Sequence, residues 1–341
     1  MAAACLMLLW GNDLFAQTVS QSALMRQALR YGNLKLSVAD GRINTAGSQP
    51  RSYSTRNSNS AGRRESFQLR SINGRPQLLY ELSTTKDKLT LSISGNDKVL
   101  FKRALTDKGK EDKKRAVEFE FSQKPGEPVR MTVGGEGEDR KVQTGETLWH
   151  LLMRDSEPLE EHVLPLLVML RPGWRLMELA DEAEAKLLVL ARAGDLPNHN
   201  RWQALLDQLS DDSYARREAA DRQLRQGGES ALRFLRELDF YSLDAEQQFR
   251  VKRMINSMSA RTVDDDADEI AARLSGDPAI WLILLSRDQE ATRTIAAERL
   301  STLLGKSIDF DPAADEKTRQ RQIERLGKQL AVPAKKRKNS G

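Results

Sequence analysis

At 341 residues the chain has room for two or three domains, and 39% hydrophobic with 30% charged residues is the balance of a water-soluble globular protein. The formal charge of +5 is unevenly placed, with much of the excess in Arg63-Arg64, Lys108 to Arg115 and Lys335 to Lys338, as solvated loops and tails commonly carry it. A single cysteine, Cys5, excludes a disulfide framework, and no run after the N-terminus approaches the roughly 20 apolar residues of a membrane span; the longest, Val163 to Leu170, is interrupted by Pro165.

At the start, Ala2 to Trp10 form a short apolar stretch that Gly11-Asn12-Asp13 break, and Leu14-Phe15-Ala16 offers a small-residue cut before Gln17. Residues 1–16 read as a signal peptide, although no basic residue precedes the apolar run. On that reading the mature protein is secreted or resides in the periplasm or cell envelope, and Cys5 leaves with the signal.

From Gln17 to residue 145 the apolar period is two. Phe67 and Leu69, then Leu78, Tyr80 and Leu82, Leu89, Leu91 and Ile93, Val99 and Phe101, Val117, Phe119 and Phe121, and Val129, Met131 and Val133 each alternate with polar residues. Turn residues separate them at Asn73-Gly74, Gly95-Asn96-Asp97, Pro125-Gly126 and Gly134-Gly135, which predicts an antiparallel meander or small sandwich. Asn44 to Ser66, rich in Ser, Asn, Arg and Gly, predicts a flexible loop. Within it Tyr53, the lone aromatic among Arg51, Arg56 and Arg63, makes a poor platform for nucleic-acid bases.

Residues 146–197 predict a helical connector. One helix starts at Glu146 or Thr147, a second at Ser156 with Pro158, and a third carries Leu176, Leu179, Ala183, Leu187 and Leu190 on one face with Gly194 as its stop. Trp149 and Trp174 are expected to seal this connector against the sheet.

Residues 198–331 predict helical repeats. Leu209 to Leu224 (LSDDSYARREAADRQL) and Leu285 to Leu300 (LSRDQEATRTIAAERL) superpose without a gap, sharing Leu-Ser, an acid at Asp212 and Asp288, Arg217 with Arg293, Ala220 with Ala296, and Leu224 with Leu300. The spacing leaves room for one two-helix unit between them, and Leu243 to Met258 fits it with an acidic start, an arginine and apolar residues at Phe249, Met254 and Met258. This stretch, residues 198 to 305, resembles HEAT-like repeats. Where that family usually places valine before the arginine, this chain has Arg216 and Thr292, and Met254 stands for the small residue in the middle copy. The resemblance implies a protein-binding or structural module with no shared catalytic residues. The expected fold is therefore α+β and multidomain: an N-terminal antiparallel β-rich domain, a helical connector, a short α-solenoid of HEAT-like repeats, and a basic tail over 332–341.

No catalytic, cofactor or metal site is predicted. His150, His162 and His199 fall in different elements without a His-Glu-x-x-His face, and Glu161 beside His162 should point away from it on a helix. Asp264, Asp266 and Asp268 alternate as in a calcium loop, but Glu269 stands where glycine is needed and Ser275 where a bidentate glutamate is needed; an acidic helix cap is the better reading. Asp311 with Pro312 reads as a second helix start. Gly134-Gly135-Glu136-Gly137 lacks the Lys-Ser or Lys-Thr of a phosphate loop.

The leading expectation is a non-enzymatic scaffold with a protein partner, its repeats presenting Arg216, Arg217, Arg222 and Arg225 as a polar recognition surface. The second is a binder of an anionic polymer, nucleic acid or acidic polysaccharide, through basic loops and the tail Lys335, Lys336, Arg337 and Lys338. Four such residues supply only about 4 kcal/mol beside an anionic surface, a millimolar-scale contact that salt weakens.

Overall fold

A computed structural model describes residues 34–45, 51–58, 62–85, 87–106, 116–134, 140–193, 199–258 and 264–331. The chain divides into two compact units, Met1–Glu178 with Thr262–Asp265, and Leu179–Arg261 with Asp266–Gly341. The division falls inside the expected connector.

In the first unit, β1 (Ser37–Ala39) and β2 (Arg42–Asn44) form a hairpin, and eight strands form one antiparallel sheet in strict sequence order. These are β3 (Tyr53–Ser58), β4 (Arg64–Ile72), β5 (Arg75–Ser83), β6 (Asp87–Ser94), β7 (Lys98–Thr106), β8 (Ala116–Gln123), β9 (Val129–Val133) and β10 (Lys141–Gly145). The sheet is a meander, each strand pairing with its neighbour in sequence; at Asn73 and Gly74 both residues take positive φ (52° and 74°), the two-residue hairpin geometry that follows strand twist. In-register pairing lines up Phe67, Tyr80, Leu91, Phe101, Phe121 and Met131 in one row across six strands, each at most 1% exposed. That face holds the unit's core. Three short helices follow, α1 (Leu148–Arg154), α2 (Glu157–His162) and α3 (Leu164–Leu170), and they bury Trp149, Leu151, Leu159 and Leu166.

The loop expected over 44–66 is corrected in part. Tyr53–Ser58 pairs with β4 from Tyr53↔Leu69 to Ser58↔Arg64, and the Tyr53 ring lies 6.3 Å from that of Phe67. Composition measures how much apolar surface side chains can bury, whereas an edge strand is held by a backbone ladder to one neighbour. Residues 46–50 and 59–61 lie outside the described residues. The alternation signal also missed β1, β2 and β10. The first two are three residues long, and β10 carries one large apolar side chain, Val142, which is exposed.

A segment from far along the chain completes this unit. Asp265 is buried, and its carboxylate accepts from the backbone N–H groups of Asp40 (2.9 Å) and Gly41 (2.7 Å) and from the indole N–H of Trp149 (2.8 Å). Asp40 and Gly41 both sit at positive φ (56° and 67°), so their N–H groups converge as a nest around the carboxylate. A Cβ on Gly41 would fall 2.4 Å from Cβ of Thr147, so only glycine fits there. Asp264 pairs with Arg171 and accepts from the N–H of Val38 (2.9 Å).

The second unit is helical: α4 (Leu176–Ala193, which begins before the division), α5 (His199–Gln208), α6 (Tyr214–Gln226), α7 (Gly228–Glu237), a 3₁₀ turn at Phe240–Ser242, α8 (Ala245–Met258), α9 (Ala267–Leu274), α10 (Pro278–Leu284), α11 (Glu290–Leu304) and α12 (Glu316–Ala331). Among the described residues no helix is long and apolar enough to cross a membrane.

The two copies read from the sequence adopt the same local structure. Helices α6 and α11 start from Ser213 (φ −76°, ψ 116°) and Gln289 (φ −78°, ψ 117°), and Leu209, Ala220 and Leu224 are as fully buried as Leu285, Ala296 and Leu300. Nη1 of Arg217 donates to the carbonyls of Asp211 (2.7 Å) and Asp212 (3.1 Å); Nη1 of Arg293 donates to those of Arg287 (2.9 Å) and Asp288 (2.5 Å). Each arginine thereby ties down carbonyls of the turn between two helices. The middle copy differs. Buried Val251 stands in the arginine's place, and Asp244 forms a capping box with Gln247, whose backbone N–H donates to the Asp244 side chain at 2.8 Å.

The acidic cap expected among Asp264, Asp266 and Asp268 is present at Asp266, whose side chain accepts from the N–H of Glu269 at the start of α9. The start expected at Asp311-Pro312 is corrected. Asp311 only closes a turn, and α12 begins at Glu316 with Asp315 accepting from Thr318. A fixed proline φ suits a turn as well as a first helical residue, so the signal was ambiguous in place.

Candidate interaction surface

The four arginines expected to form one recognition face have different occupations. Arg217 is half-buried on the inter-helix turn and lies over the Tyr214 ring (5.6 Å), and Arg225 is tied to Asp221 and to Oγ of Ser257 (2.6 Å). Arg216 is exposed and bonds Asp211 at 3.2 Å, and Arg222 is exposed. Only the last two face solvent. The tail Lys335 to Lys338 lies outside the described residues.

Between α6 and α8 runs an ionic network. Arg250, 6% exposed, donates to Glu218 (2.8 Å) and Glu246 (2.6 Å), and buried Asp221 accepts from Arg253 (3.2 Å) as well as pairing with Arg225. The Arg250 hydrogen bond holds the Glu218 carboxyl below the usual range, and the same bond raises the Arg250 guanidinium. Such a network adds little over an apolar core of the same shape, but deleting one member leaves an uncompensated buried charge.

The histidines are internal. His150 caps its own helix, its Nδ1 lying 2.9 Å from Oγ1 of Thr147. Buried His162 has Nδ1 2.9 Å from a guanidinium nitrogen of Arg103, which also pairs with Asp87 (3.1 Å). Arginine can only donate, so His162 accepts at Nδ1 and its proton sits on Nε2, 3.8 Å from Glu161. The expectation that Glu161 and His162 point apart is corrected: the two side chains come within 3.8 Å, because consecutive helical residues are only about 100° apart round the axis and the glutamate is long enough to reach across. Burial, and then the Arg103 charge, lower the His162 pKa from 6.5 to about 3, while burial raises that of Glu161. The His199 side chain lies outside the described ones.

A pH dependence follows. His162 stays neutral in the folded protein down to about pH 3, while in the unfolded chain it protonates near 6.5. Between those values the unfolded state binds more protons, so stability is full above about 6.5 and falls as pH drops toward 3. Urea unfolding across that range should show the decline. His162→Gln, which keeps an acceptor for Arg103, should reduce it, and an unchanged slope would assign the effect to other groups.

Among the described residues no three His, Cys, Asp or Glu side chains gather as a metal site. The sheet's polar face has a recess of about 280 Å³ among Lys88, Lys102, Glu118, Glu120 and Arg140, with Lys102 and Glu120 paired at 2.8 Å. Its charges are mixed and partly cancel.

The surface that stands apart is on α8 and the 3₁₀ turn before it. Phe240, Ala245, Gln248, Phe249, Lys252 and Ile255 enclose a groove of about 590 Å³. Phe249 is 63% exposed, and Tyr241 nearby in the chain is 98% exposed. Phe249 was expected in the repeat's apolar core. Along α8, however, Val251 and Met254 take the buried stripe, and Phe249, five residues before Met254, lies about 140° round the helix from it. Apolar identity alone could not separate the two faces.

Neither a family model, a curated protein nor a solved structure matches this chain.

Proposed function

We propose that this protein is a non-enzymatic interaction module, exported from a cell of bacterial type, whose helical half is a short solenoid of HEAT-like repeats that binds another protein. The observation that carries the reading is the aromatic surface of the middle hairpin, where Phe249 stands exposed in the lining of an apolar groove and Tyr241, next in the chain to the lining residue Phe240, is exposed as well. Contiguous exposed apolar surface on a soluble protein marks a binding site more often than chance. The solenoid reading is supported by two hairpins that repeat in sequence, helix-start geometry, buried residues and arginine contacts. The export reading is supported by the apolar stretch and small-residue cut in residues 2–16.

Photo-cross-linking in the native cells tests the function. A benzoylphenylalanine at Tyr241 is expected to trap a discrete protein adduct, and one at exposed Arg70 on β4 is not. Adducts at neither position, or only at Arg70, would sink the reading. Amino-terminal sequencing of the protein from those cells should begin at Gln17; retention of Met1 would remove the export part alone.

A further inference from the structure

The groove on α8 has chemistry that narrows what it can hold. We propose that it docks an apolar segment of a partner protein carrying an acidic residue, with Phe249 as the apolar anchor and Lys252 as the contact for the carboxylate. This rests on the interaction reading above and specifies what that site recognises.

An internal comparison shows that the groove is not a by-product of building the hairpin. In the gap-free alignment of the three copies, Phe249 takes the place of Ala215 in the first and Ala291 in the last. Lys252 takes the place of Glu218 and Thr294, and Ile255 that of Asp221 and Ala297. In all three copies the buried stripe is filled by other residues: Ala220 and Leu224, Val251 and Met254, Ala296 and Leu300. Only the middle copy adds a large aromatic ring where its siblings keep a methyl group, and it leaves that ring 63% exposed. Packing of α8 does not require it.

The charge of the occupant follows from the polar members of the lining. Among the described residues there are two, Gln248 and Lys252, and no carboxylate. The Gln248 side-chain N–H group already donates to the carbonyl of Leu243 at 2.8 Å. Lys252 is exposed and makes no ion pair among the described residues, so its ammonium is the group left to discriminate charge. Beside the low-dielectric rings of Phe249 and Phe240, a carboxylate on the occupant gains more from that ammonium than it would in open water, and a basic residue is repelled. One cation cannot track a phosphate backbone, which separates this site from a nucleic-acid groove. An amphipathic helix offering apolar residues at i and i+4 with a flanking Asp or Glu has the matching pattern.

The full-length protein can be tested against a displayed library of random 14-residue peptides, counter-selected on Phe249→Ala. That variant restores the residue of the other two copies, and an unchanged urea midpoint establishes that it is folded. Enriched peptides are expected to share spaced apolar residues with an Asp or Glu. Synthetic versions should bind about tenfold more weakly to Phe249→Ala, and Lys252→Glu should reverse the preference in favour of a lysine-bearing counterpart. No enrichment over Phe249→Ala, a basic consensus, or indifference to Lys252→Glu overturns the proposal. So does a concentration-dependent dimer in sedimentation velocity that Phe249→Ala abolishes, since a second copy would then be the occupant. A photo-adduct at Tyr241 that survives in Phe249→Ala and Lys252→Glu also overturns it, while leaving the broader interaction reading in place.

Discussion

Asp265→Ala is expected to lower the stability of the first unit by about 3–5 kcal/mol, since it leaves three buried N–H donors without their acceptor at about 1–3 kcal/mol each. The carboxylate accepts three N–H groups in a site from which water is excluded, and two of them are backbone donors in a tight turn with no freedom to seek other partners. Asp40 and Gly41 hold left-handed backbone conformations, and without an acceptor between them that arrangement loses its reason to persist. Trp149, fully buried, would be left with an unpaired indole N–H. Asp265→Asn should fall between wild type and alanine, because the amide keeps one acceptor oxygen and turns an NH₂ toward a donor. Urea unfolding followed by near-ultraviolet circular dichroism checks both variants. A loss below about 1 kcal/mol for alanine would mean that the three bonds contribute no more than solvent-exposed ones.

Gly227→Ala should destabilise the second unit by about 2–4 kcal/mol through overpacking alone. Gly227 has φ −65° and ψ −8°, a conformation any residue adopts, so backbone strain plays no part. The difficulty is space. A Cβ there would lie 2.2 Å and 2.7 Å from two carbons of the Trp202 indole and 2.8 Å from Cβ of Ala231. Trp202 belongs to one buried cluster with Leu206, Leu224, Phe234, Leu235 and Met254, and a rigid bicyclic ring cannot fold away as a lysine tail would. Relief requires α7 to move away from α5, opening the cluster they share. Gly276→Ala in the same unit is the control. Nothing lies within 4 Å of its Cβ, and its effect should stay within about 0.5 kcal/mol. Equal effects for the two variants would mean that the contact with Trp202 contributes nothing to the Gly227 penalty.

The two sites also mark where reading the chain succeeds and where it stops. The meander was legible because period two is a local property: Leu78, Tyr80 and Leu82 are buried by the same pleat that puts Gln77 and Glu81 outside. The helical copies were legible because Arg217 and Arg293 contact carbonyls only five and six residues away, so the requirement is written within one turn of chain. A strand with a weak apolar signal, such as Tyr53–Ser58, was not, since its stability comes from the ladder to β4.

The chain by itself determined the alternating strands, the turns between them, helix starts at Glu146 or Thr147, at Ser156 and among Asp264, Asp266 and Asp268, and the internal repeat, all of which rest on contacts within a few residues. Tertiary structure alone decided that Asp265 would be held by a hairpin more than two hundred residues away, that Arg225 would be drawn into a bond with Ser257, and that Phe249 would face outward while Met254 faced inward. Those outcomes depend on which groups folding brings together and which side of a helix its neighbours cover. An aromatic ring has the same sequence signature in a core as in a groove, and only the surrounding chain determines which it becomes.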